Sequence, residues 1–162
     1  MRRTRRTAGL LAGVLLLAGC GVQPSGVADG GEPPTGVARG QTLYFVDDRG
    51  RLVPQVRDTD RLGTVTETLA LLLTGPGPDA AVHTEIAETG VTRVTVSAGP
   101  GLVDLRVPLA VHEVSPLGID QIVCTALAHH VQAGGSPRTE VRIQFTSETA
   151  ASRERRTCPL IG

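Results

Sequence analysis

The chain has 162 residues, with 16 arginines, no lysine, 16 acidic residues, 20 glycines and three aromatic residues. This length accommodates one domain of ordinary size and not two. A hydrophobic fraction of 40% and a charged fraction of 20% are typical of a globular chain and exclude a disordered or collagen-like one. The formal charge of zero and the scarcity of aromatic rings exclude a typical nucleic-acid binder, which needs a basic surface or a stacking platform.

Residues 1–19 have the pattern of an export signal. A basic start with four arginines precedes the short apolar run Leu10–Ala18 and the small residue Gly19. This order is typical of a secretory signal peptide. The apolar run is too short for a membrane-spanning helix, which needs about 20 residues. We therefore expect residues 1–19 to be removed during export.

The segment Leu17-Ala18-Gly19-Cys20 resembles the bacterial lipobox. In that motif the cysteine thiol receives a diacylglycerol group, and the signal peptide is cut just before it. The resemblance implies that Cys20 is lipidated and that the protein is anchored at the extracytoplasmic face of the cell membrane. The alternative is a signal peptide cut nearby, with Cys20 an ordinary thiol. The mature chain has 12 arginines and 16 acidic residues, and an acidic surface disfavours binding to anionic lipid head groups. We therefore expect the lipid, and not the protein surface, to hold the protein at the membrane.

Two cysteines remain once Cys20 is lipidated. An even number of cysteines in an exported protein favours a disulfide, here between Cys124 and Cys158. A redox or metal pair is the competing interpretation, and the absence of Cys-x-x-Cys and of a neighbouring histidine disfavours it. Two unpaired thiols are the third alternative.

The remainder divides into a tether, a domain and a tail. Residues 20–40 comprise the lipidated cysteine and a flexible tether, because Gly21–Gly40 contains six glycines and three prolines without apolar periodicity. Residues 41–146 are expected to form the folded domain. Residues 147–162 are expected to form a C-terminal tail that the disulfide ties to the domain.

Strand and helix patterns alternate along the domain. Strands are predicted at Leu43–Val46, Leu52–Arg57, Val91–Ala98, Leu102–Val107 and Val141–Phe145, and a short further strand is compatible with Thr84–Ala87. Helices are predicted to begin after Thr64 and Ser115, where a hydroxyl residue precedes an apolar stripe. Pro54 makes the second strand an edge or bulged strand, since proline cannot donate to a ladder. The order β-β-α-β-β-α-β predicts an α+β fold, a mostly antiparallel sheet with two helices packed on one face.

Four segments of the domain together resemble a known family. They are Leu43–Arg57 (LYFVDDRGRLVPQVR), Ala70–Pro76 (ALLLTGP), Thr92–Leu105 (TRVTVSAGPGLVDL) and Gln121–Leu127 (QIVCTAL). Their order and spacing resemble the GerMN domain of sporulation and spore-germination lipoproteins, which also occurs in actinobacterial envelope lipoproteins. The chain departs from the family pattern at Arg106, where a serine is frequent, and at Cys124, where an aromatic residue is common. The resemblance implies a non-enzymatic module without a cofactor, which assists assembly or regulation of envelope or sporulation and germination complexes through envelope protein partners.

The sequence contains no motif that favours an enzymatic function. The chain has no nucleophile elbow, phosphate-binding loop or dinucleotide fingerprint, and we assign no catalytic residue, cofactor or metal. The histidines are His83, His112, His129 and His130. The last two point about 100° apart on a helix and cannot form a paired metal motif. We expect His130, which falls on the apolar stripe, to lie in the core or at its boundary.

Two further functions remain open. A binder of a peptidoglycan fragment or small envelope ligand would need a concave polar pocket. A cell-wall hydrolase would need carboxylates such as Asp47 or Glu113. We expect Asp47 and Asp48 to be solvated turn residues. Asp104 is expected to belong to a surface charge pattern beside Arg106. Glu113 has no partner that is evident from the sequence.

Overall fold

A computed structural model of the chain describes residues 40–78 and 80–162. The predicted signal peptide, Cys20 and the tether up to residue 39 lie outside the described residues. The strands are β1 (Gln41–Val46), β2 (Leu52–Arg57), β3 (Thr95–Gly99), β4 (Leu102–Arg106), β5 (Glu140–Gln144) and β6 (Arg155–Arg156), and the helices are α1 (Val65–Leu73) and α2 (Pro116–Gln132). Short 3₁₀ turns lie at Val111–Glu113 and Ala150–Arg153. Helix and strand contribute about equally, which confirms the α+β class.

The strands form two sheets and not the single sheet that the sequence predicts. β1 and β2 form an antiparallel hairpin, and the second sheet has the order β3-β4-β5-β6. Within that sheet β4 and β5 run parallel, because α2 connects them and a parallel pair requires such a crossover. The region near Thr84–Ala87 makes only single bridges, from His83 to Val46 and from Ile86 to Val114. β6 belongs to the C-terminal segment and pairs with β5.

Helix α1 follows the local signals of its sequence. The Thr64 hydroxyl accepts from the N–H of Glu67 at 3.2 Å, and the Glu67 carboxylate accepts from the N–H of Thr64 at 2.7 Å. This reciprocal capping box satisfies two donors that a helix start would leave free. The buried residues of α1 are Thr68, Leu69 and Leu72. The helix ends before Gly75, which adopts a φ of +79°.

Helix α2 is buried on nearly all sides and not along one stripe. It packs against α1, β1 and β5, and 11 of its residues are buried, including the polar Gln121, Thr125 and His129. Gly118 permits close approach in its first turn, because a Cβ there would lie 2.4 Å from the carbonyl oxygen of Glu85. Neither helix in the described part of the chain has the length and apolarity to cross a membrane.

Candidate functional site

One edge of the β1–β2 hairpin is occupied by polar side chains of α2. The N–H of Tyr44 donates to Thr125 Oγ1 at 3.0 Å, and Gln121 Nε2 donates to the carbonyl oxygen of Tyr44 at 3.0 Å. Further along β1, Val46 exchanges two backbone hydrogen bonds with His83. The far side of β1 therefore has its polar groups satisfied at Tyr44 and Val46.

The other edge of the hairpin, the outer edge of β2, is open among the described residues. Both backbone polar groups of Tyr44 point away from β2, so Tyr44 and its partner Pro54 form a non-hydrogen-bonded pair. The missing N–H of Pro54 consequently faces outward and costs no ladder bond. By the same alternation Leu52 and Val56 direct their N–H groups outward. Val56 is also an exposed apolar side chain, 67% accessible.

The C-terminal tail is attached to α2 by a disulfide. Cys124 and Cys158 are bonded with their sulfur atoms 2.04 Å apart. Both cysteines are buried, with Cys124 0% and Cys158 3% exposed. Ile161 packs against the core, whereas Leu160 is 54% exposed.

The carboxylates considered for catalysis make structural contacts. Asp47 accepts the N–H groups of Arg49 and Arg51 and pairs with the Arg51 guanidinium at 2.7 Å. The side-chain hydrogen bond from Arg51 holds the pKa of Asp47 below its ordinary value. Glu113 accepts the N–H of Ala110 at 2.7 Å and so closes the 3₁₀ turn. Asp48 is exposed in the β1–β2 turn.

The adjacent histidines His129 and His130 make separate contacts. His129 is the more buried of the adjacent pair, and its Nδ1 lies 2.9 Å from Thr68 Oγ1. Burial lowers the pKa of His129 below its ordinary value. His130 lies at the core boundary, with Nε2 3.1 Å from Thr139 Oγ1. Among the described residues no group of three or more histidine, cysteine and acidic side chains is placed to hold a metal.

A cleft with several arginines lies at one end of the four-stranded sheet. It encloses about 730 Å³ between the ends of β4 and β5 and the 3₁₀ turn of the tail. Four arginines and one acidic residue line it: Arg93, Arg106, Arg142, Arg153 and Glu148. Thr95, Gln144, Thr146 and Ser152 contribute polar atoms, and Val107, Pro108 and Phe145 contribute apolar ones. The cleft is concave, polar and positively charged.

A hydrogen-bonded network fixes part of this cleft. Arg142 donates from Nε and Nη2 to the two carboxylate oxygens of Asp104, at 2.7 and 2.5 Å. The hydrogen bond from Arg142 lowers the pKa of Asp104, and Gln144 adds to the effect. Gln144 donates to Asp104 at 3.3 Å and accepts from Arg106 at 3.1 Å. The surface charge pattern expected for Asp104 therefore involves Arg142 across the parallel pair.

The arginine cleft was not predicted from the sequence. A signal was present, because Asp104 and Arg106 alternate with buried residues on one strand, and Arg142 and Gln144 do so on another. Bringing the four side chains together requires β4 and β5 to be neighbours, and the sequence predicted no such pairing. Arg153 enters the cleft only because the tail folds back.

Comparison of the chain with protein-family models, with curated proteins and with solved structures finds no match. The resemblance to the GerMN domain therefore remains a prediction from the four segments quoted above.

Proposed function

We propose that this protein is a lipid-anchored extracytoplasmic module of the GerMN type. It assists assembly or regulation of cell-envelope, sporulation or germination complexes by binding and not by catalysis. Anchoring through Cys20 is supported by the leader and the lipobox in the sequence. A diacylglycerol supplies two acyl chains, which suffice for stable attachment. The structural contacts of Asp47 and Glu113 support a binding role over hydrolysis.

The open outer edge of β2 is the observation that favours protein binding. An unpaired strand edge can accept an extended segment of a partner, with backbone hydrogen bonds giving affinity. Gln121 and Thr125 close the opposite edge at Tyr44, so an added strand would pair with Leu52–Arg57. Val56 offers an apolar contact beside that edge.

Mild cross-linking in membranes followed by co-purification tests the protein-binding function. Val56→Pro removes one outward N–H, as Pro54 already does at its own position, and leaves the inward ladder bonds in place. Val56→Arg removes the apolar contact. Val91→Arg is the matched control, because Val91 is also apolar and 51% exposed but does not belong to the β2 edge. We expect both Val56 variants to lose the captured partner and the Val91 variant to retain it. Equal capture by all three variants would contradict the role of this edge.

Anchoring is tested separately by Cys20→Ser. This variant should be released or left unprocessed and should not incorporate a labelled lipid. Cys158→Ser is the matched control, since it replaces a cysteine at the other end of the chain and should leave labelling unchanged. Normal labelling and cleavage of the Cys20 variant would exclude the lipoprotein assignment.

Binding of a small envelope ligand is the second candidate function. It needs a concave polar pocket, and the arginine cleft is one. Its volume lies within the range of about 300–1,000 Å³ that is usual for ligand sites. The ligand in this second function would be a peptidoglycan fragment or another small molecule of the envelope.

A further inference from the structure

Several arginines of the folded domain lie around one cleft. Residues 41–162 contain 11 arginines and 14 acidic residues, so this part of the chain is acidic overall. Among the described residues, four of those arginines line the cleft, and Glu148 is the single acidic residue beside them. A local excess of positive charge on an acidic domain raises the local concentration of small anions at that spot and not over the whole surface.

Two of the four guanidinium groups are available for a ligand. Arg142 is bound by Asp104, and Arg153 lies 3.3 Å from the carboxylate of Glu148. Arg93 and Arg106 have no carboxylate within 4.0 Å in the described part of the chain. Arg106 gives one N–H to the amide oxygen of Gln144. Since a guanidinium has five N–H donors in a planar fork, most of the donors of Arg106 remain for an oxyanion.

A buried hydroxyl adds a second, independent indication of a ligand. Ser152 lines the cleft and is 6% exposed. Its Oγ accepts the N–H groups of Phe145 and Thr149, at 3.5 and 3.4 Å. Among residues 40–78 and 80–162 the Ser152 hydroxyl takes part in these two hydrogen bonds as an acceptor and in none as a donor. A buried donor of this kind is usually satisfied, and an anionic oxygen in the cleft would satisfy it.

We propose that the cleft binds a small ligand through a phosphate or carboxylate group held by Arg93 and Arg106. The Asp104–Arg142 pair and Gln144 keep Arg106 in position, and Ser152 donates to the same anionic group. The body of the ligand lies against Pro108 and Phe145 at the cleft wall. This inference rests on the second proposed function and is independent of the β2 edge.

Calorimetric titration of the full chain in detergent tests the inference. Glycerol 3-phosphate and N-acetylmuramic acid carry the anionic groups, and glycerol and N-acetylglucosamine are their neutral counterparts. The variants are Arg93→Gln and Arg106→Gln. Arg138→Gln is the matched control. Arg138 is exposed and lies outside the cleft, and its replacement by glutamine removes the same charge. A thermal melt of each variant confirms folding.

We expect binding of at least one anionic probe and of neither neutral one, weakening as salt is added. Each cleft variant should lose about tenfold in affinity, as expected for one charge-assisted hydrogen bond, and Arg138→Gln should match the wild type. Binding only to vesicles that contain phosphatidylglycerol, with the same arginine dependence, would place the phosphate on a lipid headgroup. Absence of binding at millimolar anion, or equal losses in all three variants, would overturn the inference. Partner capture through β2 would be unaffected by that result.

Discussion

The side chain of Gln121 connects helix α2 to the backbone of Tyr44 in β1. Its Nε2 donates to the carbonyl oxygen of Tyr44 at 3.0 Å, and its Oε1 accepts the N–H of Glu85 at 2.7 Å. Gln121 is 0% exposed. With Thr125 one helical turn later, it takes the place that a neighbouring strand would occupy. The helix thus closes this edge of the hairpin, and the outer edge of β2 is open among the described residues.

Replacing Gln121 by leucine should destabilise the domain strongly. The variant keeps the side-chain bulk but leaves the carbonyl of Tyr44 and the N–H of Glu85 without partners. Each buried polar group left unpaired costs about 1–3 kcal/mol, so the loss of two partners should lower the free energy of unfolding by about 2–6 kcal/mol. Urea unfolding measures this change. Gln55→Leu is the control, since the half-buried Gln55 makes no side-chain hydrogen bond within the described residues, and a loss there of the same size would contradict the explanation.

Amide exchange should show a two-residue alternation along β2. Val53 and Gln55 direct their N–H groups into the ladder with β1 and should exchange slowly. Leu52 and Val56 direct theirs outward and should exchange quickly in the isolated protein. Addition of a captured partner should slow Leu52 and Val56 without changing Gln55. Full protection of Val56 in the isolated monomer would show that the edge is already paired, and the strand-addition mechanism would then fail.

The sequence predicts those parts of the fold that local chemistry determines. The capping residues Thr64 and Ser115 place the two helix starts correctly, and Pro54 identifies the edge strand. The parallel pairing of β4 with β5 has no local signal, because it depends on how α2 crosses between them. The need for glycine at position 118 follows only from the close approach of the Glu85 backbone, which the sequence does not reveal.

The residues of the candidate site were also predicted only in part. The sequence singled out Cys124 and Cys158, and the structure joins them. The arginine cleft was missed, because its members come from four separate stretches of chain and each arginine alone resembles an ordinary surface residue. The burial of His129 was also missed, because its neighbour His130 fits the apolar stripe better, whereas packing of α1 against α2 covers His129.

Stability should fall on mild acidification because of His129. Burial, assisted by the adjacent His130, lowers its pKa in the folded state, while Glu67 acts weakly in the opposite direction. The unfolded chain then takes up a proton near the ordinary histidine pKa of about 6.5 before the folded protein does. The free energy of unfolding should therefore be constant above that pH and decline below it, until the lower folded pKa is reached.

Urea midpoints between about pH 7.5 and pH 5.5 measure the effect of His129, since that range spans its unfolded pKa. His129→Gln should flatten the decline, because glutamine does not titrate and can still contact the Thr68 hydroxyl. His112→Gln is the control, because His112 is exposed. A decline that persists unchanged in the His129 variant would assign the acid sensitivity to other groups.

Removal of the Cys124–Cys158 bond should loosen the tail and destabilise the domain. The two residues are 34 apart in sequence, and closing a loop of this size stabilises by roughly 3–4 kcal/mol in the chain-entropy model. Cys158→Ala should therefore lower the melting temperature and make Ser152–Gly162 sensitive to protease. Leu160→Ala, in the same tail at an exposed position, should have little effect. The native chain should be lighter than its reduced form by two hydrogen atoms, with one peptide linking the two cysteines. Two alkylatable thiols in envelope-purified protein, or an unchanged melt on reduction, would show that the tail is held by packing alone.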